Sequence, residues 1–566
     1  MSGRSKLAIT TCATMLGMFY LLGWFSSQTE SPTLDEPLHA VAAYEHFFEH
    51  DFRADPEDPP LWQYWAMIPH HRGELLPGGE ARLQSKQLAE PSYAEMLSSV
   101  RLFQTPGNDG TAFINSSRMT MLLIGVMLGA AIAAWTWQLA GPIAAVFACA
   151  LFAFDPNFLA HSPLVKNDVS LCLVMFCAAW AAWSVGKAAR WWNVPLLCGV
   201  CAIAAVVKFS GVIVLPIVAV LLLIRAARSR RFLSAIAICA AAILAMYCVI
   251  WASYGFRFDP TPTPGERFDT QSEVAKLGDS AAGKLVLWAE SRRLLPQAWL
   301  FGLVHTYRTM QSRPAFLLGR YGENGWWYYF PLAMLFKTPL ATLGGIGMAI
   351  VVALSRKRQA RIQWWAVVCL ALPLGIYGCS ALTSHLNLGI RHVLPLYPFI
   401  YVLIAVTVAR LNRHWILWIL GIALAVETLA AFPHYISFFN AASRPWRLEL
   451  LSDSNFDWGQ DLPAVAAWQE KHPTIKLYLG YFGTVDPAFY GIRYTNLPGG
   501  FFLNREFAWP SEPGVVAISA TLLQGAEAPP NLRAVYAAFG AQKPREILGD
   551  TIYLYDWPMG EMGPGH

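Results

Sequence analysis

Long apolar runs separated by short polar connections make up most of the first 432 residues. Runs of about 18 or more mostly apolar residues recur, and each is long enough to cross the hydrocarbon core of a bilayer as an α-helix. The pattern predicts about eleven membrane-spanning helices: 7–25, 117–138, 142–160, 167–186, 191–207, 210–226, 232–253, 327–354, 363–383, 391–410 and 414–432. No small-x-small cleavage site follows the first run, so we expect it to be a retained signal anchor.

Polar sequence is concentrated in two long loops and at the C-terminus. The loops are 26–116 and 254–326, and the C-terminal segment is 433–566. That segment contains the helix-like stretch "LPAVAAWQEKH" and the strand-like runs "TIKLYLGYF", "GVVAISA" and "TIYLYDW". The sequence therefore predicts a polytopic α-helical membrane protein, with a transmembrane domain over 1–432 and a small α/β domain over 433–566.

Clusters of basic residues predict the orientation of the chain. The stretches "GKAAR", "RAARSRR" and "SRKRQAR" fall in connections on one side of the predicted spans. Because Lys and Arg are enriched in cytoplasmic loops, this side is predicted to be cytoplasmic, together with the N-terminus. Both long loops and the C-terminal segment then lie outside.

Composition agrees with a membrane protein. Only 14% of the 566 residues are charged, against roughly one quarter in soluble domains. A net charge of +5 in short, scattered clusters does not indicate nucleic-acid binding. All ten cysteines lie in apolar runs, so we predict neither a disulfide framework nor a zinc motif.

Several basic residues lie at the predicted outer ends of the spans, where the orientation rule does not explain them. A cation near the bilayer centre costs on the order of 2–3 kcal/mol, so such residues tend to be paired or functional. One alternative is that each side chain snorkels to lipid headgroups. Together they would suit an anionic headgroup such as a lipid-linked phosphate. They are Arg118, Lys166, Lys208, Lys337 and Arg391, the last followed by His392.

Acidic residues occur at the same predicted level. Asp35 and Glu36 follow the first span in "SPTLDEPLHA", and Asp155 and Asp168 flank the connection between the third and fourth spans. A carboxylate is a common general base for a hydroxyl nucleophile. Cations stabilise the charge that develops on a phosphate leaving group. The combination favours group transfer from a lipid phosphate to an acceptor hydroxyl.

Motifs along the chain carry a resemblance to a known family. "SPTLDEPLHAVAAYEHF", "DPPLWQYW", "NSSRMTMLLIG", "FDPNFLAHSPLVKNDVSL", "KFSG" and "GIRHVLPLYPF" occur in this order. The order resembles polyprenyl-phosphate-sugar-dependent glycosyltransferases of the GT-C fold. Over residues 7–495 the chain is similar to bacterial relatives of protein O-mannosyltransferases, and more distantly to lipid A aminoarabinose transferases. "DSNFDWGQDL" resembles a subgroup of the bacterial proteins.

The resemblance implies roles for the residues at the outer level. It implies that Asp35 is the catalytic base, with Glu36 beside it, and that Asp168 matches an acid near the acceptor or the sugar. The expected donor-phosphate contacts are Arg118, Lys208, Arg391, His392 and Lys166. The sequence departs from the family pattern in two places: residues 58–61 are "DPPL" where relatives often have H-P-P-L, and Lys166-Asn167 replace two threonines.

The only metal pattern in loop 26–116 is weak. His46 and His50 are spaced i,i+4, which suits a divalent metal on a helix. We prefer a helix lying in the membrane interface, with Phe47, Phe48 and Phe52 in lipid. No cofactor is expected to be required, and a divalent metal remains the less favoured alternative.

Three functions are compatible with these features. The leading hypothesis is an inverting glycosyltransferase of the bacterial inner membrane, which moves a sugar from a polyprenyl-phosphate donor to a protein, glycan or lipid acceptor on the periplasmic face. A flippase for lipid-linked sugars is the main alternative, but it predicts charges near the bilayer midplane and inverted repeats, and we find no repeat. A binding or scaffold protein without catalysis would tolerate the loss of Asp35.

Overall fold

Apolar helices form the larger part of the structure, a computed structural model that describes residues 3–77, 91–311, 313–355, 363–411, 414–504, 506–526 and 528–557. Seven helices in these ranges are long and apolar enough to cross a membrane: Gly3–Gln28, Gly110–Ala140, Asp168–Lys187, Phe209–Ser229, Phe232–Ser253, Trp364–Leu382 and Ile390–Val408. Three apolar helices are shorter: Pro142–Ala153, Asn193–Val207 and Trp415–Ala431. With the bent pair described next, every predicted span coincides with an apolar helix, and the chain is an integral membrane protein. The basic connection at 356–362 lies outside the described residues.

The predicted span 327–354 is two helices rather than one. Tyr329–Lys337 and Leu340–Leu354 meet at an angle of 114°. Pro339 follows the first helix and disfavours helical geometry at Thr338, which is extended with ψ 131°. The span 142–160 is likewise interrupted, because Pro142–Ala153 ends before a separate short helix, Pro156–His161.

The part of the first loop around helix Glu36–Tyr44 is packed into the protein rather than onto a lipid surface. Every residue of helix Glu36–Tyr44 is buried, and a π-helical turn, Glu45–Glu49, continues it. Phe52 is only 4% exposed and packs against Tyr254, with ring centroids 4.9 Å apart. The prediction that Phe52 lies in lipid is therefore wrong, because Tyr254 of the second long loop covers it. Phe47 is 40% exposed, and its contact with lipid stays a prediction.

Short helices of the two long loops lie above one end of the spans. They are Leu61–Ala66, Pro91–Ser99, Thr270–Ala275, Ala281–Ser291 and Gln297–Thr309. A two-stranded antiparallel hairpin follows them, with β1 at Ala315–Leu317 and β2 at Arg320–Gly322.

The C-terminal segment contains the predicted helix and strands. Helix Leu462–Lys471 is followed by the strands β3 Leu477–Gly480, β4 Thr495–Asn496, β5 Gly514–Ser519, β6 Glu546–Leu548 and β7 Ile552–Trp557. They form a five-stranded mixed sheet with strand order β4-β3-β5-β7-β6. Parallel pairing joins β3 to β4 and β5, and antiparallel pairing joins β7 to β5 and β6.

The stretch "DSNFDWGQD" fixes the C-terminal segment to the first loop. Ser31 N donates to Gln460 O at 2.8 Å, and Leu34 N donates to Trp458 O at 2.9 Å. The side chain of Asp461 bonds Thr551 Oγ1 at 2.6 Å and does not cap the helix that follows. The stretch is thus a structural junction between the C-terminal segment and the first loop. A domain boundary at 433 stays a prediction.

The Glu30 side chain is buried at this junction. It is 5% exposed, and Oε1 has no hydrogen-bond partner among the described residues. Burial, together with the charge of Glu36, raises the pKa of Glu30 to about 8 despite the nearby Arg118. Glu30 is therefore protonated in the folded protein at neutral pH.

We expect Glu30 to make the folded protein less stable as the pH rises. The folded-state pKa lies above the usual value near 4.5, so stability from this group is complete below that value and is lost as the pH rises through 8. Each pKa unit corresponds to about 1.4 kcal/mol. Glu30→Gln should raise the melting temperature at pH 9 and leave it unchanged at pH 5. Glu449→Gln, at an exposed site, is the control, and an equal shift at both pH values would contradict the assignment.

Candidate active site

A cavity of about 660 Å³ lies between the ends of the spans and the long loops. The charged residues of its wall lie where helices begin or end, at one end of the spans. Asp35 immediately precedes helix Glu36–Tyr44, Lys166 precedes helix Asp168–Lys187, and Lys208 sits at the break after helix Asn193–Val207. Arg391 and His392 lie in the 3-10 turn that begins at Ile390. Side chains distant in sequence thus face one cavity.

The Asp35 carboxylate is held by cations. The Lys166 ammonium forms an ion pair with it, and Arg391 Nη1 lies 3.6 Å from Asp35 Oδ2. Burial alone would raise the pKa of the Asp35 carboxyl, but the charges of Lys166 and Arg391 outweigh burial and hold the pKa well below its usual range. Asp35 is therefore ionised at physiological pH.

A second ion pair lies directly behind the wall. Asp168 is 2% exposed and pairs with the Lys208 ammonium. Arg391 Nη1 lies 3.8 Å from Asp168 Oδ2, so this guanidinium is shared between Asp168 and Asp35. Within this group of five, Asp35 and Asp168 oppose three cations, Lys166, Lys208 and Arg391; Asp55, Glu57, Asp58 and Glu95 line other parts of the cavity.

The C-terminal segment supplies part of the site that sequence analysis did not identify. The Trp458 ring lies 4.6 Å from Arg391 Cζ and 5.2 Å from Lys166 Nζ. Ser454 Oγ accepts from Arg391 Nε at 3.2 Å. The motif "DSNFDWGQDL" was the available indication, but nothing in its spacing placed it beside the cations.

Glu36 and Arg118 are not brought into the cavity. Both side chains are fully buried and form a bidentate pair, with Arg118 Nε 2.9 Å from Glu36 Oε1 and Nη2 2.5 Å from Oε2. Glu36 also accepts from Thr33 N at 2.8 Å and from Val165 N at 3.1 Å. These bonds attach the start of the first loop to helix Gly110–Ala140. The contacts of Glu36 and Arg118 are therefore those of a structural ion pair.

Other predicted residues lie in different surroundings. Lys337 is 1% exposed, and its ammonium donates to Ile436 O at 2.9 Å and Asn455 O at 2.5 Å. Asp155 accepts from Tyr401 Oη at 2.7 Å. Neither lines the cavity. His392 does line it, and its Nε2 has no partner among the described residues.

The residues at the two positions that depart from the family pattern contact each other in the structure. The Asn167 amide donates to the Asp58 carboxylate, and Lys166 Nζ contacts His39 Nε2 at 3.1 Å. On the other side of its ring, His39 Nδ1 lies 2.7 Å from Asp55 Oδ2. Burial and the charge of Asp55 raise the pKa of Asp58 to about 7. His39 lies in the motif "SPTLDEPLHAVAAYEHF", but nothing in the sequence placed Asp55 or Asp58 beside it.

The predicted metal pair is not assembled. His46 Nδ1 lies 2.5 Å from Gln63 Oε1 and Nε2 lies 3.0 Å from Ala54 O, whereas His50 is exposed at the end of the π-helical turn. Within the described residues, the group whose geometry suits a metal ion is His39 with Asp55 and Asp58, whose ligand atoms lie within 4.8 Å of one another.

Comparisons with known proteins find structural similarity only. No protein-family model and no curated protein sequence matches the chain. The chain is similar to ArnT from Cupriavidus metallidurans in the apo state (12% identity, TM-score 0.32, 98% of each chain covered) and bound to undecaprenyl phosphate (11%, 0.32, 97% and 98%). It is also similar to the apo oligosaccharyltransferase of Archaeoglobus fulgidus (13%, TM-score 0.39), with 88% of this chain and 62% of that chain covered. TM-scores of this size do not establish a common fold. The helices and the cavity themselves define the class, which is a polytopic membrane protein with a charged cavity at one end of its spans.

Proposed function

We propose that the chain is an inverting glycosyltransferase of the GT-C type, similar to bacterial protein O-mannosyltransferases, that uses a polyprenyl-phosphate sugar as its donor. The supporting observation is the ionised Asp35 carboxylate in one cavity with three cations, Lys166, Lys208 and Arg391. A base for a hydroxyl and a cationic site for a phosphate are the two groups that such a transfer needs.

The cations account for donor binding. In the immediate surroundings of Asp35, these three cations outnumber the carboxylates of Asp35 and Asp168, which favours an anionic phosphate at that part of the cavity wall. Arg391 and the two lysines are already in place, so they stabilise the charge that develops on the phosphate without first reorganising. In this proposal His392 and Asp168 complete the site, on the phosphate side and near the sugar, respectively.

The reaction is a single displacement. The acceptor hydroxyl gives its proton to Asp35, and its oxygen forms a bond to the anomeric carbon. The bond from that carbon to the phosphate oxygen breaks, and the electron pair leaves with the polyprenyl phosphate. One base suffices for inversion, and the cations supply the positive charge, so the displacement itself requires no metal. Localisation in the bacterial inner membrane, with this site on the periplasmic face, is part of the proposal.

Transfer by the purified protein tests this function. The full chain in lipid nanodiscs is given radiolabelled polyprenyl-phosphate sugars and an envelope fraction as acceptor. We expect release of polyprenyl phosphate together with label on the acceptor for at least one donor. If proteoliposomes move labelled lipid across the bilayer without consuming it, the flippase replaces the transferase.

Arg391→Gln is expected to raise the KM for the donor by about 10–100-fold, since a hydrogen bond to a charged group contributes roughly 1.5–3 kcal/mol. Initial rates over a donor titration measure it. Arg308→Gln is the matched control, because Arg308 also lines the cavity. Its partner Glu273 would still be paired with His305, whose Nδ1 lies 2.8 Å from Glu273 Oε1. An unchanged KM in Arg391→Gln, or an equal rise in the control, would contradict phosphate binding at Arg391.

A further inference from the structure

A group of three side chains beside the transfer centre has no role in the proposed reaction. His39, Asp55 and Asp58 lie at the cavity wall, next to Lys166. We propose that His39 Nδ1 and the carboxylates of Asp55 and Asp58 bind a divalent transition-metal ion such as Zn²⁺. This site is separate from the cations that face the donor phosphate.

The geometry of the three groups suits such an ion. His39 Nδ1 lies 2.7 Å from Asp55 Oδ2 and 3.4 Å from Asp58 Oδ2, and all ligand atoms fall within 4.8 Å of one another. A zinc ion sits about 2.0–2.2 Å from nitrogen and oxygen ligands in a tetrahedral arrangement, so its ligand atoms are roughly 3.3–3.6 Å apart. To bind it, His39 Nδ1 and Asp55 Oδ2 would separate by about half an ångström, and the most distant ligand atoms would approach each other by at most about 1.5 Å.

Charge also favours a cation at this point. Among the described residues, the ion pairs of Asp55 and Asp58 are with His39 only. The Lys166 ammonium is paired with Asp35 and meets His39 on the opposite ring nitrogen, and Lys208 is paired with Asp168. The buried carboxylate of Asp55 and the half-buried carboxylate of Asp58 therefore share one imidazole, and imidazole nitrogen and carboxylate oxygen are both ligands that zinc accepts.

Neighbouring amides orient the ligands from outside. Gln63 Nε2 donates to Asp55 Oδ2 at 3.1 Å, and the Asn167 amide donates to Asp58 Oδ1. Such outer hydrogen bonds fix the ligands of metal sites. Asn167 is 1% exposed and lines the cavity, and its Oδ1 has no hydrogen-bond partner among the described residues. This carbonyl oxygen is an independent indication of a missing ligand, as a fourth donor or as the acceptor of a metal-bound water.

Metal binding should oppose the contact between His39 and Lys166. Without a metal, an Nδ1 proton bonds Asp55, and the Nε2 lone pair accepts from the Lys166 ammonium. With a metal on Nδ1, the neutral ring carries its proton on Nε2. Two donors then face each other 3.1 Å apart. Removing the lysine charge should therefore strengthen metal binding.

Isothermal titration calorimetry of the untagged full chain in nanodiscs with Zn²⁺ tests the site without a sugar donor and without turnover. We expect one ion per chain and a dissociation constant that rises by at least about tenfold in His39→Ala and in Asp58→Asn, since even outer-shell losses typically cost 10–100-fold. Lys166→Met should lower the dissociation constant by about tenfold, because it removes a like charge beside the metal. With Co²⁺, a visible absorption band should appear in the parent and disappear in His39→Ala.

His50→Ala is the control, since His50 belongs to the unassembled pair and is exposed, and it should bind Zn²⁺ like the parent. The proposal is overturned by a lack of saturable binding, by unchanged affinity in Asp58→Asn, by equal weakening in His50→Ala, or by weaker binding in Lys166→Met. If His39→Ala does not fold, Asp58→Asn and Lys166→Met decide. The titration involves no sugar transfer, so it tests the metal site even if the protein proves not to be a transferase. Likewise, a lack of metal binding would not contradict the proposed transferase.

Discussion

Asp35→Asn is expected to lower the rate of sugar transfer by about 10²–10⁴-fold, the range for loss of a general base. Asparagine has nearly the same size and its oxygen still accepts from Lys166, so the fold and donor binding should survive. Release of radiolabelled polyprenyl phosphate and label on the acceptor, measured at saturating donor, give the loss in kcat.

The matched control for Asp35→Asn is Glu95→Gln. Glu95 also lines the cavity, but the proposed reaction does not use it, so the change in kcat should stay below about tenfold. Thermal unfolding of both variants must match that of the parent. If sugar transfer survives in Asp35→Asn, Asp35 is not the general base, and the proposed displacement is wrong.

Separating Glu36 from Arg118 is expected to give the largest loss of stability. Arg118→Met leaves the Glu36 carboxylate fully buried without its partner, and breaking a buried ion pair from one side costs about 3–5 kcal/mol. The burial of Glu36 would raise its pKa, but Arg118 and the backbone donors Thr33 and Val165 hold that pKa below its usual range. Scanning fluorimetry in detergent should show a lower melting temperature and poor recovery of folded protein.

The double variant Glu36→Gln with Arg118→Met separates a structural role from donor binding. It removes both charges and keeps an acceptor oxygen for one of the two backbone donors, Thr33 N or Val165 N, which bond different oxygens of Glu36, so it should recover part of the stability lost in Arg118→Met. A normally folded Arg118→Met with a raised donor KM would instead support the phosphate contact that the family resemblance implies for Arg118.

Much of the architecture was predictable because each element depends on its own stretch of sequence. A membrane helix satisfies its backbone hydrogen bonds internally, so its apolar length alone indicates it, and every predicted span coincides with an apolar helix. Strands β3, β5 and β7 followed from short runs of β-branched, aromatic and other apolar residues. The break at Pro339 was missed because apolar residues continue through it, although proline chemistry explains it.

The site was predictable in part. Placing cations and acids at the outer ends of the spans brought Asp35, Lys166, Lys208, Arg391 and His392 to one cavity, because helix ends on the same side of a membrane share one level. Their catalytic and binding roles stay predictions.

The sequence by itself determined which segments cross the membrane and which polar residues lie together at one end of them. Only the tertiary structure decided how those residues pair. Glu36 meets Arg118, 82 positions away, instead of facing the cavity with its neighbour Asp35. Trp458 reaches Arg391 and Lys166 from the C-terminal segment, and His39 meets Asp55 and Asp58. The physical reason is that apolar length and turn chemistry are local, whereas an ion pair or metal site depends on where distant loops close.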